Sequence, residues 1–516
     1  MAIAAMSLAI AVRAWQFGAA PPGFNQDEAL LAYDAYSLSL YGEDQHGIKM
    51  PVHLTSWKYG QMSALPAYAM APFIKMLGLE PAAARLPFLI LSLLGLWVFY
   101  LFAKTAAGQP AAAIALLFAA ICPWHIMQSR WALDCNFFPH FLLFGAYFLN
   151  KGLSGAKWKM YLSMFFFAMS MYCYGVSFIS VPILLVALCA LALATRRATP
   201  GQAAICVAAY LAFSWPLFVM MAINYMRMPS IETPFFTIPF FPETIRAQGL
   251  LMFSENIPKQ LAENAKSLFY VVALQKENLP WNSIPGFGMV YPLAMPFALI
   301  GIACAIRHSK SCAIVLIWLC VSIISGLIVN DVNSNRINAI YYPLIFLIGL
   351  GIKSVADIAE KVKIPKAASF CAAGFAFFLP FTLFCKSYFT EHKELLGAYF
   401  YEGFYQAFDF AQEKNPEVYH LTANTQSQYS TWVTEAIALY ASRSDPRYVQ
   451  GRKHITIDGH ASLGYNEKYL CEIFLSAPVP KQGDIYIINI SEKEFFPENL
   501  FDVTEFGGFA AAIPRV

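Results

Sequence analysis

Charged residues are what this chain has least of: they make up 13% of its 516 residues, where a soluble globular protein carries about 25%. Hydrophobic residues account for 58%, and the mean hydropathy is +0.51. Such a chain cannot cover itself with a water-compatible surface, so most of it must face lipid. Disordered, collagen-like and nucleic-acid-binding classes are excluded by the same figures, and a net charge of +3 offers nothing to a polyanion. Cysteine is also poorly placed for cross-links. Ten of the eleven cysteines lie within or at the ends of apolar runs, and only Cys471 falls in the last 130 residues, so no disulfide framework forms there. No CxxC or Cys/His cluster points to a metal, and the tail lacks a phosphate loop or a dinucleotide-binding glycine pattern.

The few charges are unevenly distributed. Residues 1–386 hold 25 Lys+Arg and 15 Asp+Glu, whereas residues 387–516 hold 10 and 17. A polytopic α-helical membrane body (1–386) is therefore followed by an acidic tail (387–516) long enough for one small soluble domain. A span needs about 20 mostly apolar residues. Eleven stretches qualify, near 1–20, 86–106, 110–124, 136–151, 158–175, 177–195, 201–223, 286–306, 311–330, 337–355 and 367–386. Arg13 interrupts the first, for which a signal peptide is the competing reading. With a cytoplasmic N-terminus, the inner loops hold twelve basic residues (among them Lys151, Lys157, Arg196, Arg197 and Lys366) against two acids, Asp357 and Glu360. That asymmetry places the acidic tail on the outer face of the membrane.

Two outer loops are long. The first, 21–85, contains two short helix-like stretches, Asp27–Leu40 and Ser63–Leu77, expected to lie on the membrane surface. The second, 224–285, is rich in Pro and Phe; its length marks it as functional and its aromatics argue against disorder. The tail alternates strand-like runs (Glu417–Leu421, Asp484–Ile490, Phe509–Pro514) with helix-like ones (His392–Glu413, Trp432–Ser442), which is the pattern of a small α/β domain serving as a structural or acceptor-docking module.

Ionisable groups at membrane depth are costly and are functional candidates by default. Those present share one side. Asp27 and Glu28 follow the first span, and Lys58 lies in the same loop. His125, Arg130 and Asp134 occupy the turn PWHIMQSRWALDCNFFP, Tyr172 and Tyr174 end the fifth span, and Asn335 and Arg336 precede the tenth in NDVNSNRINAIYYPL. Carboxylates and cations scattered along the chain thus converge on one membrane face, as acid/base groups beside an anion site would. Each has a plainer reading: snorkelling anchors for Arg130 and Arg336, a helix cap for Asp134, an interfacial ring for His125, and first-turn charges on a helix for Asp27 and Glu28.

PPGFNQDEALLAYDAYSL, then RLPFLILSLLG, then CPWHIMQSRWALD, resembles the membrane glycosyltransferases of family 39, which include protein O-mannosyltransferases and aminoarabinose transferases. WNSIPGFGMVYPLAMPFALIG and NSNRINAIYYPLIFLIGLGI resemble bacterial members of the same broad class, so the resemblance runs in order over residues 1 to about 360. It implies the C-type glycosyltransferase fold, with Asp27 as the catalytic carboxylate and Glu28 at the next position of the motif. By the same resemblance, Asp134 matches an acidic position, Arg336 a residue holding the donor phosphate, and Lys58 a phosphate-contacting lysine. The His-Pro-Pro element of the eukaryotic mannosyltransferases is missing, which argues against protein mannosylation.

Nucleotide sugars are made in the cytoplasm, so a donor working on the outer face must arrive on a membrane carrier such as a polyprenyl phosphate. Its phosphate leaves as an anion and needs positive charge, which Arg336, Arg130 and Lys58 can supply. The acceptor hydroxyl needs a general base, for which Asp27 is best placed, with Glu28 or Asp134 positioning the acceptor. His125, Tyr172, Tyr174 and Asn335 are the candidate substrate-positioning groups. One displacement inverting the anomeric centre is expected, with no cofactor and no demand for a metal. The expected partners are the polyprenyl-phosphate sugar, an envelope glycan, lipid or protein acceptor, and the bilayer of a bacterial inner membrane. The competing classes are a transporter or lipid flippase, which lacks support from an inverted repeat, and a sensor or assembly protein whose working part is the tail.

Overall fold

The computed structural model describes residues 1–56, 60–242, 249–307, 309–425, 428–448, 450, 456–457, 460–462 and 468–515. A helix stands at each of the eleven apolar stretches. They are α1 (Ala2–Ala14), α4 (Pro81–Ile121, which serves two of them), α6 (Phe138–Leu153), α7 (Trp158–Met171), α8 (Ser177–Ala194), α9 (Pro200–Met226), α11 (Met295–Arg307), α12 (Ser309–Ile328), α13 (Tyr341–Lys361) and α14 (Lys366–Phe389). Among the described residues, α4, α8, α9, α14 and α13 with the turn before it are long and apolar enough to cross a membrane. Others fall short of the expected length, at 13 residues in α1 and 14 in α7. Helix α4 is two segments: Gly108 (φ 83°, ψ 169°) breaks it where the sequence separates the second and third stretches.

Helix α13 is the hub, with Tyr341–Ile352 buried without interruption. It crosses α11 closely enough that a Cβ on Gly301 would stand 1.9 Å from the carbonyl oxygen of Leu347, and one on Gly351 1.9 Å from that of Phe297. Small residues permit this backbone-to-backbone approach between apolar helices. Asn150 Nδ2 donates to Thr105 Oγ1 (2.9 Å) and Lys157 Nζ to the Arg197 carbonyl (2.6 Å), so the basic turns near 105, 155 and 197 gather at one end.

The opposite end carries the segments that connect α1 to α4. Helices α2 (Gln26–Tyr41) and α3 (Ala64–Leu77) match the two helix-like stretches, but strands β1 (His53–Ser56) and β2 (Gly60–Ser63) form an antiparallel hairpin between them that the sequence did not announce. The surface placement of α2 needs correcting. Glu28–Ala35 are all buried, because α2 is covered by α3 and by α17 (Thr431–Ser442) of the tail. In the second long loop, strands β3 (Ile231–Glu232) and β4 (Thr237–Ile238) pair, and the amide of Val52 donates to the Thr237 carbonyl (3.0 Å), joining the two loops. Helices α5 (Pro123–Gln128) and α10 (Ile257–Leu268) complete this end of the body.

The tail is the expected α/β domain. Helices α15 (Glu391–Tyr399) and α16 (Glu402–Glu413) replace the single predicted helix, broken where Tyr401 takes a left-handed conformation (φ 54°). Among the described residues, β6 (Asn424–Thr425) pairs with β7 (Gln428–Tyr429), and seven strands form one sheet in the order β12 (Phe501–Phe506), β13 (Phe509–Pro514), β11 (Asp484–Asn489), β5 (Val418–Thr422), β10 (Tyr469–Glu472), β9 (His460–Ser462), β8 (Thr456–Ile457). β10, β5 and β11 run parallel. These central strands are buried nearly throughout, as parallel strands covered on both faces are. One face packs on α16 and α17, and the other on Phe474, Phe496 and Phe501.

Candidate functional site

The site is built at the first turn of α2. Asn25 caps the helix: its side chain accepts from the amide of Asp27 (3.0 Å), and its own amide donates to Glu28 (3.2 Å), a reciprocal capping box. The cap fixes both acidic side chains where the helix dipole favours negative charge. They then diverge. Asp27 is half-buried, whereas Glu28 is fully buried.

Glu28 is occupied by the protein itself. Arg85, in the first turns of α4, donates Nε to its Oε1 (3.0 Å) and Nη2 to its Oε2 (2.8 Å), and the amide of Ala132 donates to the same carboxylate. Arg85 also donates to the carbonyls of Pro21 (2.8 Å) and Gly23 (3.0 Å). Arg130 does the same for the preceding residues. Its Nε donates to Ala20, Nη1 to Val12 and Arg13, and Nη2 to Trp15 and Gln16. Five N–H groups thus meet five carbonyls, which leaves none for a donor phosphate. The sequence-based roles of Glu28 as a catalytic group and Arg130 as a phosphate ligand therefore do not fit the geometry. The two residues instead pin the strap between α1 and α2 and orient the Asp27 turn.

The turn of Asp134 and the turn that follows Arg336 are joined through their neighbours. Asp134 is buried and accepts the Ser63 amide (3.5 Å). Two residues on, Asn136 Oδ1 accepts from Asn338 Nδ2 (3.3 Å), which also donates to the Cys135 carbonyl (3.0 Å). Trp124 Nε1 donates to Asn338 Oδ1 (2.6 Å), which fixes the amide's orientation. The turn at 134–136 is thus laced to the one at 338–340, just after Arg336, while the Glu28–Ala132 bond ties α2 to the same stretch. Arg336 is half-exposed, and its Nη1 meets the Asn330 carbonyl and Asp331 Oδ2 (3.4 Å). Its Nε and Nη2 have no acceptor among the described residues, so they are available to an anion. Asn335, beside it, keeps a buried Oδ1 without a partner among the described residues. Lys58 lies outside the described residues.

His125 belongs to a buried chain. Arg13 donates to His125 Nδ1 through Nε (3.2 Å), so that nitrogen must be an acceptor and the proton must sit on Nε2. Nε2 then donates to Tyr342 Oη (3.2 Å), Tyr342 donates to His140 Nδ1 (2.9 Å), and His140 Nε2 donates to Ser92 Oγ (3.4 Å). A ring whose two nitrogens are both committed positions helices more readily than substrate. Tyr172 is likewise committed, donating to the Phe213 carbonyl (2.9 Å), and Tyr174 packs beside Phe138. Arg13, Arg85, His140, Asn338 and Tyr342 were missed in the sequence. The available signal was a lone polar residue inside or heading an apolar run.

The tail reaches the same place. The amide of Phe24 donates to the Phe400 carbonyl (2.7 Å), Asn25 Nδ2 donates to that of Tyr399 (3.4 Å), and Tyr405 Oη donates to that of Phe24 (3.0 Å). Gly23 is obligatory, because a Cβ there would stand 2.3 Å from the Phe400 oxygen and its φ is +66°. Tyr401 is near Asp27: burial first, and then the Asp27 carboxylate, push its hydroxyl up to about 12.

The tail also contains a buried ionic cluster of its own. His420 lies between Glu472 on β10 and Asp484 on β11, with Nε2 to Asp484 Oδ2 at 2.9 Å and the ring stacked on Tyr486 (centroids 4.3 Å apart). Burial opposes the imidazolium, but the two carboxylates outweigh it and raise the pKa above its usual value. A raised folded-state pKa stabilises fully below the unfolded value of about 6.5 and is lost as pH rises through the folded value. Limited proteolysis of the full chain should therefore cut the 387–516 region faster as pH is raised above 6.5, and His420→Gln should flatten that dependence. An unchanged slope in the variant would assign the pH effect to other groups.

Solved structures resembling this chain confirm what this geometry implies about the fold. ArnT from Cupriavidus metallidurans bound to undecaprenyl phosphate superposes with a TM-score of 0.59 at 13% identity, covering 99% of this chain and 97% of that one. The apo state of the same protein gives 0.57 at 12% identity over the same shares. The chain has the C-type glycosyltransferase fold. The apo oligosaccharyltransferase of Archaeoglobus fulgidus shares this fold more loosely, with a TM-score of 0.50 at 12% identity over 85% of this chain and 63% of that one. No protein-family model matches the sequence, and no curated protein matches it by sequence. In this C-type fold the C-terminal tail is no appendage, since a single apolar core runs from α1 through α13 into the sheet domain.

Proposed function

We propose that the protein is an inverting glycosyltransferase that moves a sugar from a polyprenyl-phosphate carrier to an envelope acceptor on the outer face of a bacterial inner membrane. What supports this reading is the lacing of three turns, which joins the segments carrying Asp27, Asp134 and Arg336, together with two nitrogens of Arg336 that have no acceptor among the described residues. The undecaprenyl phosphate held by ArnT of the same fold indicates which anion that arginine would meet. In the reaction, the acceptor hydroxyl oxygen attacks the anomeric carbon while the bond from that carbon to the phosphate oxygen breaks. Asp27 takes the hydroxyl proton, Asp134 holds the acceptor side, and Arg336 (with Lys58 as a second cation) receives the departing phosphate. The tail faces outward with α2, and its 399–402 turn walls the acceptor side.

Charge-assisted hydrogen bonds contribute about 1.5–3 kcal/mol each. Arg336→Ala should thus weaken binding of undecaprenyl phosphate to the protein in nanodiscs by about 10- to 100-fold, with undecaprenol binding unchanged. Equal affinity of the variant and the parent for the phosphate lipid would remove Arg336 from the donor site.

A further inference from the structure

Helix α10 has three faces, and among the described residues the protein covers only one of them. Leu268 packs on Gly326 of α12, where an added Cβ would stand 2.9 Å from the leucine side chain. Asn264 Nδ2 donates to the Leu327 carbonyl (3.0 Å) and to Asn330 Oδ1 (3.3 Å), so this face fastens α10 to the last turn of α12. Lys259, Glu263 and Lys266 follow at helical spacing on a second face, exposed and suited to water. The third face lies between these two and carries Pro258, Leu261, Ala262 and Ala265, all exposed although apolar. The turns on either side add Phe253 and Phe269, 60% and 56% exposed. A contiguous uncovered apolar face marks a partner.

Its position names that partner. Ile323 of α12 stands one helical turn deeper in the body than the Gly326–Leu327 seat, on the same side of the helix, and is itself uncovered, as is Ile324 beside it. Uncovered isoleucines on an apolar helix of a membrane body face lipid. The third face of α10 therefore continues a lipid-facing surface at the point where that surface ends. A helix with protein on one face, apolar side chains on the next and charges on the last fits the boundary where protein, hydrocarbon and water meet. Helix α2, expected at the membrane surface from its sequence, is buried; α10 has the exposed face that α2 lacks.

We propose that α10, with Phe253 and Phe269, is a membrane-docking surface seated in the lipid leaflet at the end of the body where Arg336 lies. Its occupant is the bilayer, not a second protein. Nothing in this seat depends on sugar transfer, but it bears on that site. Asn330, held by Asn264, also accepts from Arg336 Nη1, so the seat brings the Arg336 turn to the level of the lipid headgroups. Hydroxyl-radical footprinting tests the seat with the full chain in nanodiscs of phosphatidylethanolamine and phosphatidylglycerol. Each disc holds a single copy, so that no second chain can cover the face. Side chains of one type and similar exposure are compared: Leu261 (40%) with Leu500 of the tail (38%) and Leu383 of α14 (50%), and Phe269 (56%) with Phe378 of α14 (60%). Leu261 should be oxidised about fivefold more slowly than Leu500 and at about the rate of Leu383, because a side chain in the acyl boundary is shielded from water. Phe269 should likewise match Phe378. Oxidation of Leu261 at the rate of Leu500 overturns the seat and leaves the face to a protein partner. Oxidation of Phe269 well above Phe378 overturns it as well.

Discussion

Asp27→Asn should reduce sugar transfer by about 10²- to 10⁴-fold, the usual contribution of a positioned general base, while leaving the protein folded and still able to bind undecaprenyl phosphate. The separation of effects follows from the surroundings. Asp27 is half-buried in the second position of α2, and the cap that fixes it accepts from its backbone amide, a contact asparagine preserves. What the substitution removes is the negative carboxylate: the weaker helix-dipole interaction costs about 0.3–1 kcal/mol, too little to unfold the chain. Transfer is measured with an undecaprenyl-phosphate sugar, and fold by thermal unfolding in nanodiscs. Transfer within tenfold of the parent would move the base elsewhere, and Asp134 would be the next to test. A variant that lost lipid binding along with transfer would mean that Asp27 shapes the pocket instead of taking the proton.

Much of this arrangement was legible before the structure, for reasons that also explain the gaps. Helices α8, α9, α13 and α14 come from uninterrupted apolar runs, and Asn-Gln-Asp-Glu ahead of an Ala/Leu run is a capping signal that put both the start of α2 and its carboxylates in view. The tail's strands at 418 and 484, which run parallel, and the antiparallel strand at 509 were visible because strands buried on both faces are rich in apolar residues throughout. What stayed hidden depends on partners that carry no side-chain signature. Arg130 reads as an anion site because it is a cation in a polar turn, but its acceptors are backbone carbonyls of residues 12–20, which no sequence pattern displays. Arg85, heading a long apolar helix, shows no partner in the sequence until the fold sets it against Glu28. The burial of α2 escaped notice because the residues that cover it, in α17, lie some 400 positions away.

Glu28 and Arg85 support the largest stability prediction. Both side chains are fully buried, and the pair is surrounded by the rings of Phe24 and Phe400 (5.1 and 6.0 Å from the guanidinium carbon). Removing one member of a buried ion pair strands the other charge, at a cost of about 3–5 kcal/mol, which is a large share of a typical folding free energy of about 5–15 kcal/mol. Glu28→Gln should therefore lower the thermal midpoint in nanodiscs sharply, and Arg85→Met should do the same from the other side. Because each single variant leaves an uncompensated partner, the double variant should lose less than the sum of the two, and the cycle measures their coupling. Transfer should fall in all three, since the carboxylate that ties the Asp27 turn to Ala132 is lost or displaced. The double variant should recover stability ahead of activity. Additive losses in the cycle would mean that Glu28 and Arg85 act independently, and the orientation of Asp27 would then rest on the Asn25 cap and the Phe24–Phe400 contact alone.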